Sequence, residues 1–169
     1  HPKGWGFHET DYMNKNNVKQ VIVFRKDLLK GDKAIRKGKF AAQCAHASTS
    51  AVLSLFNTEN IYSSNDEMMR ILMNEKPIGK VFSLNCFEKT PFYQWINGCY
   101  TKICLSVENE EELIELYSKI KENNPQIPCV LIEDAGLTEF NGVPTKTCIG
   151  IGPYWNDEID VFTKKLKLL

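Results

Sequence analysis

At 169 residues, with 43% hydrophobic and 25% charged residues and a formal charge of zero, the chain is long enough for one cored globular domain and short for two. It contains no run of about 18 apolar residues, which argues against an α-helical membrane span. Its cysteines, at positions 44, 86, 99, 104, 129 and 148, form no C-x-x-C pair, which argues against a zinc site and for ordinary buried thiols in a reducing compartment.

HPKGWGFHETDYMNKNN is polar and aperiodic, so residues 1–18 are assigned to an N-terminal tail and residues 19–169 to a single domain. The chain opens at His1 rather than Met, and any targeting or anchoring segment ahead of it would be invisible. VKQVIVFRKDL is β-branched and continuously apolar at its centre, as expected of a strand buried on both faces of a sheet. The segment around it is basic. Residues 19–39 hold eight lysines and arginines (19, 25, 26, 30, 33, 36, 37 and 39) against Asp27 and Asp32, a net +6 that the rest of the chain balances. Such a segment is either a solvated face or a phosphate-facing patch.

After a loop at Gly31, a helix is expected from about Ile35 or Gly38 to Phe56. At about 100° per residue, Lys39, Gln43 and His46 fall within about 60° of one another. Ala41, Ala45, Ser48 and Val52 lie roughly opposite, and that small-residue side is expected to pack while the polar side meets solvent or substrate. Cys44 and His46 are about 200° apart on such a helix and cannot form a Cys-His nucleophile.

Residues 57–98 are rich in Asn, Ser and acids with weak periodicity, and are expected to form a partly helical insertion. TKICLSV (101–107) is a second strand. In NEEELIELYSKIKENN, Asn109 is a plausible N-cap, acids fill the first turn, and Leu113, Ile114, Leu116, Tyr117 and Ile120 form an apolar stripe. PCVLIEDA (128–135) and TKTCIGIG (145–152) are strands joined by a connection short enough to demand antiparallel pairing. NDEIDVFTKKLKLL closes the chain as an amphipathic helix, acids first and lysines late. The order β-α-(insertion)-β-α-β-β-α predicts an α/β fold: a three-layer α/β/α sandwich around a four-stranded mixed β-sheet, with the insertion after the first helix.

VIVFRKDL followed by GKFAAQCAHA, then EDAGLT, then TKTCIGIGP and the closing KKLKLL, resembles the type 2 peptidyl-tRNA hydrolases of archaea and eukaryotes. The motifs stand in the same order and cover residues 19–56 and about 99–169; within the insertion only Gln94 and Trp95 resemble a family feature. The resemblance implies hydrolysis of the ester between a peptide and the terminal ribose of tRNA, without metal or cofactor, by a cytoplasmic enzyme that is usually a homodimer. It places the catalytic residues at Lys39, Asp134, Thr138 and Thr147, with Gln43 and His46 flanking the same site. Leu137 stands where the family commonly carries arginine.

Ester hydrolysis needs an activated water and a donor for the developing oxyanion. Asp134, oriented by Thr138 and Thr147, is expected to hold or deprotonate the water while Lys39 stabilises the oxyanion or a phosphate. The roles could also be exchanged, Lys39 keeping Asp134 ionised and a threonine meeting the substrate. Arg25, Lys33, Arg36 and Lys37 are expected to bind tRNA phosphates without reading bases. Two alternatives of other classes stand beside this one: a non-catalytic tRNA- or protein-binding module on the same fold, and a cysteine-dependent amidase, which the Cys44 geometry disfavours.

Overall fold

The computed structural model describes residues 17–31 and 34–169, so Lys33 and all but the last two residues of the expected tail lie outside the described residues. In chain order the elements are β1 (Val18–Arg25), α1 (Lys37–Leu53), β2 (Asn57–Ile61), α2 (Glu67–Leu72), β3 (Gly79–Ser83), α3 (Pro91–Ile96), β4 (Lys102–Val107), α4 (Glu110–Asn123), β5 (Cys129–Asp134), β6 (Thr145–Trp155), α5 (Asn156–Thr163) and β7 (Lys167–Leu168). Every residue of β1 is buried, because β1 is central in the sheet order β5-β6-β1-β4-β7 and helices lie over both faces. β1 and β4 run parallel, while β6 is antiparallel to β1 and β5, and β7 is antiparallel to β4.

Strand alternation splits the core in two. Val21, Val23, Leu105, Ile149 and Ile151 face Leu113, Leu116 and Ile120 of α4 and Ile159 of α5. Ile22, Phe24 and Cys148 face the other way, toward Ala47 of α1, with Phe40 and Ile132 at the margin of this smaller core. α4 forms as its sequence dictates: the Asn109 side chain accepts from the Glu112 amide at 3.0 Å, and Glu110, Glu111 and Glu112 occupy the positive end of the helix.

The central sheet has five strands, one more than the sequence pattern suggested. The closing helix ends at Thr163, and Lys167–Leu168 pairs with Leu105 and Ser106 instead. KLKL alternates with period two, which suits a lysine-bearing edge strand better than another helical turn. β1 also begins at Val18, the last residue of the expected tail. The insertion is more ordered than expected: β2 and β3 form a separate two-stranded sheet with α2 between them. α3 lies against β1 and β6, with Trp95 buried and its Nε1 donating to the Thr101 carbonyl at 3.0 Å.

α1 sits on the sheet through a side turned from the one expected, although Ser48 still donates to Gln20 of β1. Gln43, Ala47 and Ala51 are buried, whereas Ala41, Ala42 and Ala45 face outward. The contact is made by backbone: a Cβ on Gly150 of β6 would lie 2.3 Å from the Ala47 carbonyl oxygen and 3.3 Å from the Ala51 Cβ. Polar Gln43 can be buried because its side chain finds partners, and the alanines are free to be exposed because they lose little there. Gly150→Ala is therefore expected to lift α1, lowering stability by about 1–3 kcal/mol in denaturant titrations. An unchanged unfolding midpoint would show that the helix accommodates the methyl without moving.

Candidate active site

Asp134 ends β5, and α1 begins beyond the end of β1, so both elements bring side chains to the carboxyl edge of the parallel strands, where open α/β sheets place their sites. Lys39, in the first turn of α1, donates from Nζ to Asp134 Oδ2 in an ion pair, and the two side chains are only 16% and 12% exposed. Gln43, one turn on, donates from Nε2 to the same oxygen at 2.9 Å, and the Gly136 amide donates to Oδ1 at 2.9 Å. Lys39 Nζ also lies 3.3 Å from Thr138 Oγ1 and 5.9 Å from the centre of the Phe140 ring. Thr147, fully buried, donates from Oγ1 to Gln43 Oε1 at 2.6 Å.

Thr147 reaches α1 because of a break in strand pairing. Ile132 pairs with Cys148 and Glu133 with Lys146, so Thr147 is an extra residue in β6. Strict alternation would turn it with Ile149 toward α4; the β-bulge turns it to the Cys148 side instead.

Burial of Asp134 opposes its ionisation, but the hydrogen bonds from Lys39 and Gly136, the Lys39 charge and the Gln43 amide outweigh it and hold the carboxyl below its usual range. The Gly136 amide can arrive only because that residue adopts φ +78°, and a Cβ there would lie 2.5 Å from the Val143 carbonyl oxygen. Burial pushes the Cys44 thiol up to about 11, with Cys104 adding to the effect, so it stays protonated.

The structure brings together Lys39, Gln43, Asp134, Thr138 and Thr147, with one rearrangement of the expected contacts. Thr147 acts on Asp134 through Gln43, and Thr138 meets Lys39 rather than the carboxylate. His46 is exposed on the next turn of α1 and takes no part in this chain of hydrogen bonds. Arg25, expected to face phosphates, is buried and committed to carboxylates: Nε and Nη2 donate to Asp27 at 3.1 and 2.8 Å, and Nη1 donates to Glu110 at 2.5 Å. Arg36 is exposed at the start of α1 and bridges to Glu139 at 2.8 Å, while Lys37 is exposed beside it. Two contributors went unseen in the sequence, the Gly136 amide and the Phe140 ring. The glycine of D-A-G was their available signal, since a glycine after an aspartate marks a backbone turned back on the carboxylate.

The chain matches the family described as Peptidyl-tRNA hydrolase PTH2 over residues 18–169. A peptidyl-tRNA hydrolase of Sulfurisphaera tokodaii is 36% identical over 152 residues, covering 90% of this chain and 98% of that protein. Those of Methanopyrus kandleri and Saccharolobus solfataricus are 35% and 33% identical, over 89% and 90% of this chain and 97% and 99% of their own lengths. The residues before Val18 fall outside the family match, and the insertion falls inside it. By its fold, its ordered motifs and these relatives, the chain belongs to the PTH2 family of peptidyl-tRNA hydrolases.

Proposed function

We propose that the Lys39–Asp134 pair, with Gln43, Thr138 and Thr147, is the centre at which this hydrolase cleaves the ester of peptidyl-tRNA and releases peptide and free tRNA. The observation that supports it is a count of hydrogen-bonding positions. A carboxylate offers about four lone-pair sites. Among the described residues, Asp134 Oδ2 takes Lys39 and Gln43 while Oδ1 takes only the Gly136 amide, which leaves one acceptor position on Oδ1 for a water. Of the three protons on Lys39 Nζ, Asp134 and Thr138 engage two. The third has no partner among the described residues and can meet the oxygen of a carbonyl placed beside that water.

The water oxygen attacks the ester carbonyl carbon, Lys39 stabilises the oxyanion, and collapse breaks the bond to the ribose oxygen, which leaves with a proton derived from the water. A carboxylate held below its usual range is a weak base. Its main part is to orient the water and relay its proton as the C–O bond forms. Arg36 and Lys37, exposed beside Lys39 at the start of α1, with Lys33 and His46, would meet the tRNA.

The reaction is proposed to need no metal, as the resemblance to the family implies. A homodimer and a cytoplasmic setting belong to the same reading, and six free thiols suit the latter. Gln43→Leu keeps the side-chain size but removes both the donor to Asp134 and the acceptor for Thr147. It is expected to reduce kcat on peptidyl-tRNA about tenfold or more, while wild-type turnover is unchanged by a chelator. Wild-type protein that shifts peptidyl-tRNA in a gel without releasing peptide would favour the binding-module alternative.

A further inference from the structure

The bulge that aims Thr147 is itself held, and by a side chain on the far face of the sheet. Along β1, Val21 and Val23 point toward α4, and Arg25 continues that face to meet Glu110 in the first turn of α4. The ladder between β1 and β6 ends at the pair Phe24 and Cys148, because β1 then turns into a short 3-10 helix at Lys26–Leu29. Past that pair, among the described residues, β6 has no strand beside it on the β1 side, at the place where its register with β5 slips. The Arg25 guanidinium takes over there, with Nη1 donating to the Lys146 carbonyl at 2.8 Å. Lys146 immediately precedes Thr147, so this bond fixes the peptide whose conformation sends the Thr147 hydroxyl toward Gln43.

The guanidinium is itself fixed. Asp27 receives Nε and Nη2 in a fork, and Glu110 receives Nη1. The Lys146 side chain adds to the same group, 4.0 Å from Glu110 and 3.6 Å from Glu133, the β5 residue beside the register slip. Arg25 is too buried to meet a phosphate, yet four of its five N–H donors are engaged by protein oxygens.

We infer that Arg25 is a positioning residue for the hydrolytic centre. It pins the Lys146 carbonyl, the bulge presents Thr147 to Gln43, and Gln43 sets the orientation of Asp134, although Arg25 touches none of the reacting atoms. The inference rests on the proposed centre, and the experiment separates the two. Steady-state kinetics on peptidyl-tRNA are measured for Arg25→Gln, Arg25→Lys, Thr147→Val and each Arg25 variant combined with Thr147→Val, with urea unfolding to confirm that each is folded. Arg25→Lys keeps a charge against Asp27 and Glu110 and so guards against simple misfolding, but lacks the fork needed to serve them and the carbonyl together.

The expected result is a fall in kcat of about tenfold or more for both Arg25 variants, on the scale of small displacements in an active site. KM and its salt dependence stay at wild-type values, and adding the Arg25 change to Thr147→Val costs little further kcat. Folded Arg25 variants with wild-type kcat, a change confined to KM and its salt dependence, or losses that simply multiply with Thr147→Val, would each overturn the positioning role. Full activity in Thr147→Val alone would instead overturn the proposed centre, and the inference with it.

Discussion

Asp134→Asn is expected to bind peptidyl-tRNA with KM near that of the wild type and to hydrolyse it about 10²- to 10⁴-fold more slowly, the range general acid–base assistance supplies. The substitution keeps Oδ1, with the Gly136 amide and the acceptor position for the water, but puts an NH2 group in place of Oδ2, which takes Lys39 and Gln43, and removes the charge that relays the water's proton. Single-turnover peptide release under saturating enzyme isolates the chemical step; a rate within tenfold of wild type would remove Asp134 from the mechanism. The pH profile carries a sign that can be worked out. The folded carboxyl lies below its usual range, so the stabilisation from its partners is fully present above the unfolded value and is lost as pH falls through the folded one. Activity that depends on ionised Asp134 should therefore persist through mildly acidic conditions and fail only below the usual aspartate range.

Lys39→Met tests the other half of the pair. It removes the ammonium proton assigned to the oxyanion, and kcat is expected to fall about 10²- to 10³-fold, as for loss of one oxyanion donor. It should also leave a mark that Asp134→Asn cannot. Burial raises the Asp134 carboxyl and Lys39 does much to lower it, so without Lys39 the acid limb of the residual activity moves to higher pH. A residual profile superimposable on that of the wild type would mean that Lys39 does not set the ionisation of Asp134. Near-normal kcat with a raised KM would move Lys39 from the chemistry to phosphate binding.

The parts of this molecule that local chemistry determines were legible in its sequence. α4 was readable because Asn109, three acids and a clean apolar stripe agree, and the β5–β6 pairing because nine residues cannot carry a parallel crossover. Lys39 and Asp134 were readable from motifs, not from periodicity. What stayed hidden depends on which neighbours the fold supplies. The packing side of α1 could not be read, because the helix buries a glutamine and exposes alanines, inverting the usual contrast between faces. β2 is exposed along its length, so it shows no alternation. The extra residue at Thr147 leaves no trace in TKTCIGIG, because a bulge is a property of two strands and only one is written there.

Half of the eight cations between Lys19 and Lys39 are spent within the molecule. Lys19 meets Asp160, Arg25 meets Asp27 and Glu110, Lys26 meets Glu108 and Lys39 meets Asp134, while Arg36 stays exposed beside Glu139. Intact substrate and spent tRNA present the same phosphates, so any grip on the backbone holds reactant and product alike and slows the exit of the second. A basic run that turns half of its charge inward is expected to hold both less tightly, leaving the ester and its peptide as the features by which one is told from the other.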